Sequence, residues 1–250
     1  MVYFYEKKKA RQLPQEFPPR SLSKEEKMRI ILIRHGNPNY EKDCLTELGH
    51  KQAAAAAQRL LKEGIDEIYS SPQGRALQTA EYFSKASGIK DIHILDFIRE
   101  IRYGCEGELY DDKWHPWKGA DELMLKGQNL QSDNWRDYPV YKGNFATVDA
   151  DKIGEETDKW LASLGYVREG LYYRNKQPDD RQRTLAIFCH GGASSAFLAR
   201  TLNQTFPYMC ALCHFSHTGI SVLRFDKTPG SLAMPVLELL NDVRHLQNVK

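Results

Sequence analysis

Short, wholly apolar runs that end in polar residues and glycine recur along the chain, separated by stretches with apolar residues at helical spacing. Ile30-Ile31-Leu32-Ile33 opens into Arg34-His35-Gly36, and Leu185-Ala186-Ile187-Phe188-Cys189 opens into His190-Gly191-Gly192. A run of this kind predicts a central parallel strand, buried on both faces, that ends in a functional loop. The first strand is placed at about 28–34, the next at 65–71 before Pro72, and a further short one at 92–95. Between them, Leu48, Ala53, Ala57, Leu60 and Leu61 share one face of a helix over about 46–63, opened by Thr46 and closed by Gly64. A second helix covers about 73–87 and stops at Gly88. This βαβαβ order predicts an α/β protein with a largely parallel sheet covered by helices. Ligand sites of such sheets lie at the carboxyl ends of the strands, so both histidines are expected in one crevice.

The rhythm breaks between about 105 and 150, where Trp114, Trp117, Trp135, Tyr138, Tyr141 and Phe145 stand among glycines, prolines and charges without a period. This stretch reads as an inserted cap, its aromatics either lining a pocket or packing the cap onto the body. A helix at about 151–164, a small-residue helix from Ala193 to Leu202 and a last strand pair at 219–225 restore the pattern. Residues 1–27 read as a polar, proline-bearing extension ahead of one domain spanning 28–250. Their Tyr3-Phe4-Tyr5 cluster is expected to dock onto the body or onto the partner subunit of a homodimer.

The 250 residues are 41% hydrophobic and 27% charged, enough for a substantial core. With 35 basic against 33 acidic residues, no global field favours nucleic acid or a membrane surface. No run reaches the ~20 apolar residues needed to span a bilayer. The amino end lacks the apolar core of a signal peptide. Five scattered cysteines predict reduced thiols and a cytoplasmic setting.

Four motifs occur in order on suitable elements: Arg34-His35-Gly36, Ser70-Ser71-Pro72-Gln73-Gly74-Arg75-Ala76, Glu100-Ile101-Arg102-Tyr103-Gly104, and His190-Gly191-Gly192. Together they resemble the histidine phosphatase superfamily, whose phosphoglycerate mutase-like fold is a three-layer αβα sandwich. The resemblance covers about residues 28–104 and 150–225. It implies that His35 is a nucleophile that forms a phosphohistidine. A histidine attacks phosphorus only when neutral, with one nitrogen lone pair free. It further implies that Arg34 and Arg75 grip phosphoryl oxygens, that His190 donates a hydrogen bond to the transferring group, and that Glu100 is the general acid. Gly191 and Gly192 let the backbone approach the anion. Asn37 matches a polar phosphate contact, and Thr46 either reaches the site or simply caps its helix. Glu106, Glu108 and Asp111 are near in sequence and stand as alternative acids. The resemblance implies no metal and no cofactor.

One segment competes with this reading. Cys210, Cys213, His214 and His217 place four potential metal ligands within eight residues. Their apolar surroundings suit buried thiols better than a zinc knuckle. Three functions follow from the resemblance: a phosphomonoesterase acting on a small phosphorylated metabolite, a phosphoglycerate mutase, or a non-catalytic binding member of the fold. His190 is followed by Gly-Gly-Ala-Ser-Ser rather than the Gly-Asn-Ser type of the mutases, which favours the phosphatase.

Overall fold

The computed structural model describes residues 27–177, 183–226 and 228–249. The extension expected over 1–27, with its aromatic cluster, lies outside the described residues apart from Lys27, which opens the first strand. In chain order the strands and α-helices are β1 (Lys27–Arg34), β2 (Pro38–Asn39), β3 (Cys44–Leu45), α1 (Glu47–Leu60), β4 (Glu67–Ser70), α2 (Gly74–Ser87) and β5 (Ile92–Ile94). There follow α3 (Pro116–Leu125), α4 (Phe145–Ser163), β6 (Tyr166–Glu169), β7 (Tyr172–Asn175), β8 (Thr184–Cys189) and α5 (Gly191–Thr201). The chain closes with α6 (Phe206–Leu212), β9 (Ile220–Asp226), β10 (Leu232–Ala233) and β11 (Val236–Asp242).

The main sheet runs β11-β9-β1-β8-β4-β5. Strands β1, β8, β4 and β5 are mutually parallel, whereas β9 and β11 are antiparallel. Both faces are buried, as the apolar runs require. Along β1, Ile31 and Ile33 pack with Ala57, Leu60, Ala80 and Phe83 of α1 and α2. Met28, Ile30 and Leu32 face the opposite way, into a core that holds Ile153 and Leu161 of α4 and Phe197 of α5. Period-2 alternation between two helical layers makes the αβα sandwich. No helix among the described residues is long and apolar enough to cross a membrane.

Several expectations need correction. In α1 the buried face is Gly49, Ala53, Ala56, Ala57 and Leu60, while Leu48 and Leu61 are exposed. The helix expected from 151 begins at Phe145, because the Asn144 side chain caps it by accepting the Ala146 N–H at 2.9 Å. Its first turns bury only the small residues Ala146, Thr147 and Ala150, which leave a weak hydrophobic period. The stretch read as aperiodic also carries α3, and its Trp135 and Tyr141 belong to the main core. The β6–β7 hairpin, which buries Tyr166 and Tyr173 against Phe225, and the helix α6 were not expected. At 219–225 there is one strand, β9, paired with β1 and with the later β11.

Candidate active site

Parallel pairing sets Arg34 of β1 opposite Cys189 of β8, so His35 and His190 leave neighbouring strands at the same level. The His35 N–H donates to Cys189 O at 2.9 Å, and the two imidazole centroids lie 5.1 Å apart. Gly36 follows because α1 presses against this loop. A Cβ at Gly36 would stand 2.6 Å from the carbonyl oxygen of Gly49.

His35 is fully buried. Its Nδ1 lies 2.7 Å from the carbonyl oxygen of Gly36, which can only accept, so Nδ1 carries the hydrogen and Nε2 keeps a free lone pair. Nε2 has no partner among the described residues. Burial holds the His35 pKa down at about 2, with Arg34 and Arg75 adding to the effect and the Gly36 hydrogen bond opposing it. The imidazole is therefore neutral at any physiological pH.

His190 is set by Ser71, which follows β4, the strand on the other side of β8. His190 Nε2 and Ser71 Oγ are 2.8 Å apart, and Nδ1 is buried without a partner among the described residues. Burial pushes its pKa well below the usual value, helped by His35 and both arginines.

Arg34 donates to the carbonyl oxygen of Phe215, and Arg75, only 5% exposed, pairs with Asp43. The Nε atoms of both guanidiniums are buried without partners among the described residues. Asp43 was not foreseen. It also accepts the Gly74 N–H at 2.7 Å, and so ties the start of α2 to the arginine that α2 carries.

Glu100 reaches the N-terminus of α5. Its Oε1 accepts N–H groups from Gly192 at 2.9 Å, Ile101 at 3.0 Å and Ala193 at 3.3 Å. Those bonds and Arg34 favour the carboxylate, yet burial outweighs them and raises the pKa. A protonated Glu100 accepting through Oε1 keeps an O–H on Oε2 for donation. Gly192 makes this contact possible, since a Cβ there would lie 2.6 Å from Glu100 Oε1 and 2.4 Å from Ile101 Cγ1. A Cβ at Gly191 would meet Arg34 only at 3.6 Å. Gly192→Ala is therefore expected to lower turnover of alkyl phosphates by about 10²-fold through misplacement of Glu100. Gly191→Ala should have a smaller effect, and steady-state rates beside thermal melts of both variants check this.

The alternative acids lie elsewhere. Glu108 is held by Lys113, Trp114 and Cys105, and its pKa is lowered to about 2, mainly by the bond from Lys113. Asp111 caps a short turn at Lys113, Glu106 is exposed, and none of the three lines the cavity. Asn37 and Thr46 bond to each other, with Thr46 Oγ1 donating to Asn37 Oδ1 at 2.7 Å. Thr46 Oγ1 also accepts the Gly49 N–H at 3.1 Å, the capping alternative, and neither residue lines the cavity.

His217, weighed only as a metal ligand, instead stands beside the nucleophile candidate. Its ring is 5.7 Å from that of His35, and burial, with Arg34, lowers its pKa to about 4. It precedes β9, the other neighbour of β1, and that adjacency has no signal in the sequence. Cys210 and Cys213 are buried in the core. Among the described residues, the metal-type grouping is His35, Glu100 and His190, with donor atoms within 4.8 Å of one another. Two guanidiniums beside that trio oppose a cation and favour an anion.

The site opens into a cavity of about 880 Å³. Arg34, Arg75, Glu100 and Gly191 line it, as do Tyr103 and Trp117. The aromatic stretch thus divides its roles: Trp117 faces the cavity, while Trp135 and Tyr141 pack the core.

Residues 30–236 match the family profile of the histidine phosphatase superfamily, branch 1. A protein named putative phosphoserine phosphatase 2, from Hydrogenobacter thermophilus, is 30% identical over 213 residues, covering 82% of this chain and 93% of the relative. A probable phosphoglycerate mutase of Serratia proteamaculans is 24% identical over 229 residues, covering 88% of this chain and 95% of its own length. Among solved structures, a phosphoserine phosphatase of Entamoeba histolytica, bound to 3-phosphoglyceric acid, superposes with a TM-score of 0.59 at 23% identity, covering 88% of this chain and 99% of that one.

Proposed function

The chain belongs to branch 1 of the histidine phosphatase superfamily, and on that premise we propose that it is a metal-independent phosphomonoesterase working through a phosphohistidine at His35. The observation that carries this reading is the bare Nε2 of a buried, neutral His35 beside two arginines whose Nε–H groups lack partners among the described residues. A phosphate monoester placed there would meet donors for its oxygens and a lone pair in line with the leaving group. His35 Nε2 attacks phosphorus and forms the P–N bond as the P–O bond to the alcohol breaks. Glu100 Oε2–H passes its proton to the departing oxygen. The resulting carboxylate then takes a proton from water, which attacks the phosphohistidine and releases inorganic phosphate, leaving His35 neutral and Glu100 protonated. Arg34, Arg75 and His190 balance the charge that gathers on the equatorial oxygens.

Activity on an aryl phosphate is expected to persist in excess chelator, because guanidiniums supply the positive charge that metal ions supply elsewhere. Vanadate is expected to inhibit, since its trigonal-bipyramidal form resembles the transition state. Loss of activity with chelator and its return with zinc would overturn the reading. The mutase-named relative makes phosphoryl return to a sugar acid the second reading. Partitioning of the labelled phosphoenzyme between water and added phosphoglycerate separates the two.

A further inference from the structure

The part of the cavity away from the arginines has a chemistry of its own. Tyr110, Tyr103, His115 and Trp117, in that spatial order, form a continuous aromatic wall, with ring centroids 5.1 Å, 5.0 Å and 5.4 Å apart in succession. Their interplanar angles are 78°, 67° and 50°, so no two successive rings are parallel. A flat base or aryl group sandwiched between two rings needs their faces parallel, and no successive pair of this wall provides that. Rings set at steep angles suit a saturated ring, whose C–H bonds point in several directions.

The polar groups at this wall are unspent. Asp121 lines the cavity and makes no hydrogen bond or ion pair with any described residue. The Tyr103 and Tyr110 hydroxyls likewise have no hydrogen-bond partner among the described residues. Spare positive charge is scarce. Of the cations lining the cavity, Arg34 and Arg75 stand at the His35 end, and Lys118 is engaged by Asp112. A leaving group with a carboxylate and no ammonium would face Asp121 without a free cation among the described residues that line the cavity. A cavity of about 880 Å³ also exceeds what a three-carbon ester fills.

We propose that this wall is a subsite for an uncharged polyhydroxylated leaving group, so that the preferred substrates are sugar monophosphates. The proposal rests on the phosphomonoesterase reading. Asp121 and the phenol hydroxyls take sugar hydroxyls, and the angled rings take the C–H faces.

The test compares kcat/KM for hexose and pentose monophosphates, phosphoserine, 3-phosphoglycerate, a nucleoside monophosphate and an aryl phosphate. Sugar monophosphates are expected to exceed the carboxylate-bearing esters by about 10²-fold. Trp117→Ala and Asp121→Ala should each lower the sugar-to-aryl ratio by about tenfold, and Trp117→Phe should restore part of it. Binding of a hexose phosphate and of phosphoserine to His35→Ala, measured by calorimetry, reads the subsite without turnover. Aryl phosphate turnover with phosphoserine or the nucleotide preferred would overturn the subsite and leave the phosphatase reading standing. Tight hexose phosphate binding with no turnover of any ester would do the reverse.

Discussion

Replacing His35 with alanine is expected to lower phosphate release from any ester by about 10⁴-fold or more, the scale on which removing a covalent nucleophile acts. The expectation comes from geometry specific to this position. Nδ1 is committed to Gly36 O, burial keeps the ring neutral, and Nε2 has no partner among the described residues. The neighbouring imidazole is given another part, since His190 Nε2 is held by Ser71 and its Nδ1 is left to donate to the transferring group. Incubation of the unaltered protein with a labelled phosphomonoester should leave an acid-labile, base-stable label that the variant lacks. The fold should survive, since alanine gives up a single side-chain hydrogen bond, the local one to the Gly36 carbonyl, among the described residues. Turnover or labelling that persists in His35→Ala would remove it from this role.

Glu100→Gln is expected to slow esters with poor leaving groups far more than aryl esters. An aryl oxide departs without a proton, whereas an alkoxide does not, so the alkyl-to-aryl ratio should fall by about 10²–10⁴-fold. Glutamine keeps an oxygen able to accept the N–H groups of Gly192 and Ala193, so the loss reads the proton rather than the shape. The pH profile provides a second reading. Burial raises the Glu100 pKa, so its acid form extends toward neutral pH and is lost as pH rises through the shifted value. Alkyl ester hydrolysis should fall on that alkaline side, and the fall should vanish in Glu100→Gln. His35, at about 2, contributes no acid limb across the mildly acidic range. A selective loss in Glu106→Gln with none in Glu100→Gln would show that the proton comes from the other carboxyl.

What the sequence determined by itself is local. The apolar runs of β1 and β8 are legible because a strand buried on both faces has no room for polar side chains, so the polar residues that follow mark its end. The helix starts are legible where a side chain closes the first turn, as at Thr46, and the stops where glycine takes a left-handed conformation, as at Gly88 with φ of 81°. The Arg-His-Gly and His-Gly-Gly triplets are legible because their chemistry is written in adjacent residues. The tertiary structure decided everything that depends on neighbours distant in sequence. The order β9-β1-β8-β4 places His217 and His190 beside His35, and Ser71 beside His190. No period within one strand encodes which strand lies next to it. The resemblance points to Glu100, but what sets it apart physically from three nearby carboxyls is that α5 presents N–H groups to it over a glycine with no Cβ. Burial by the whole molecule sets the protonation of both histidines and of Glu100, for desolvation is a property of the surroundings and not of the residue.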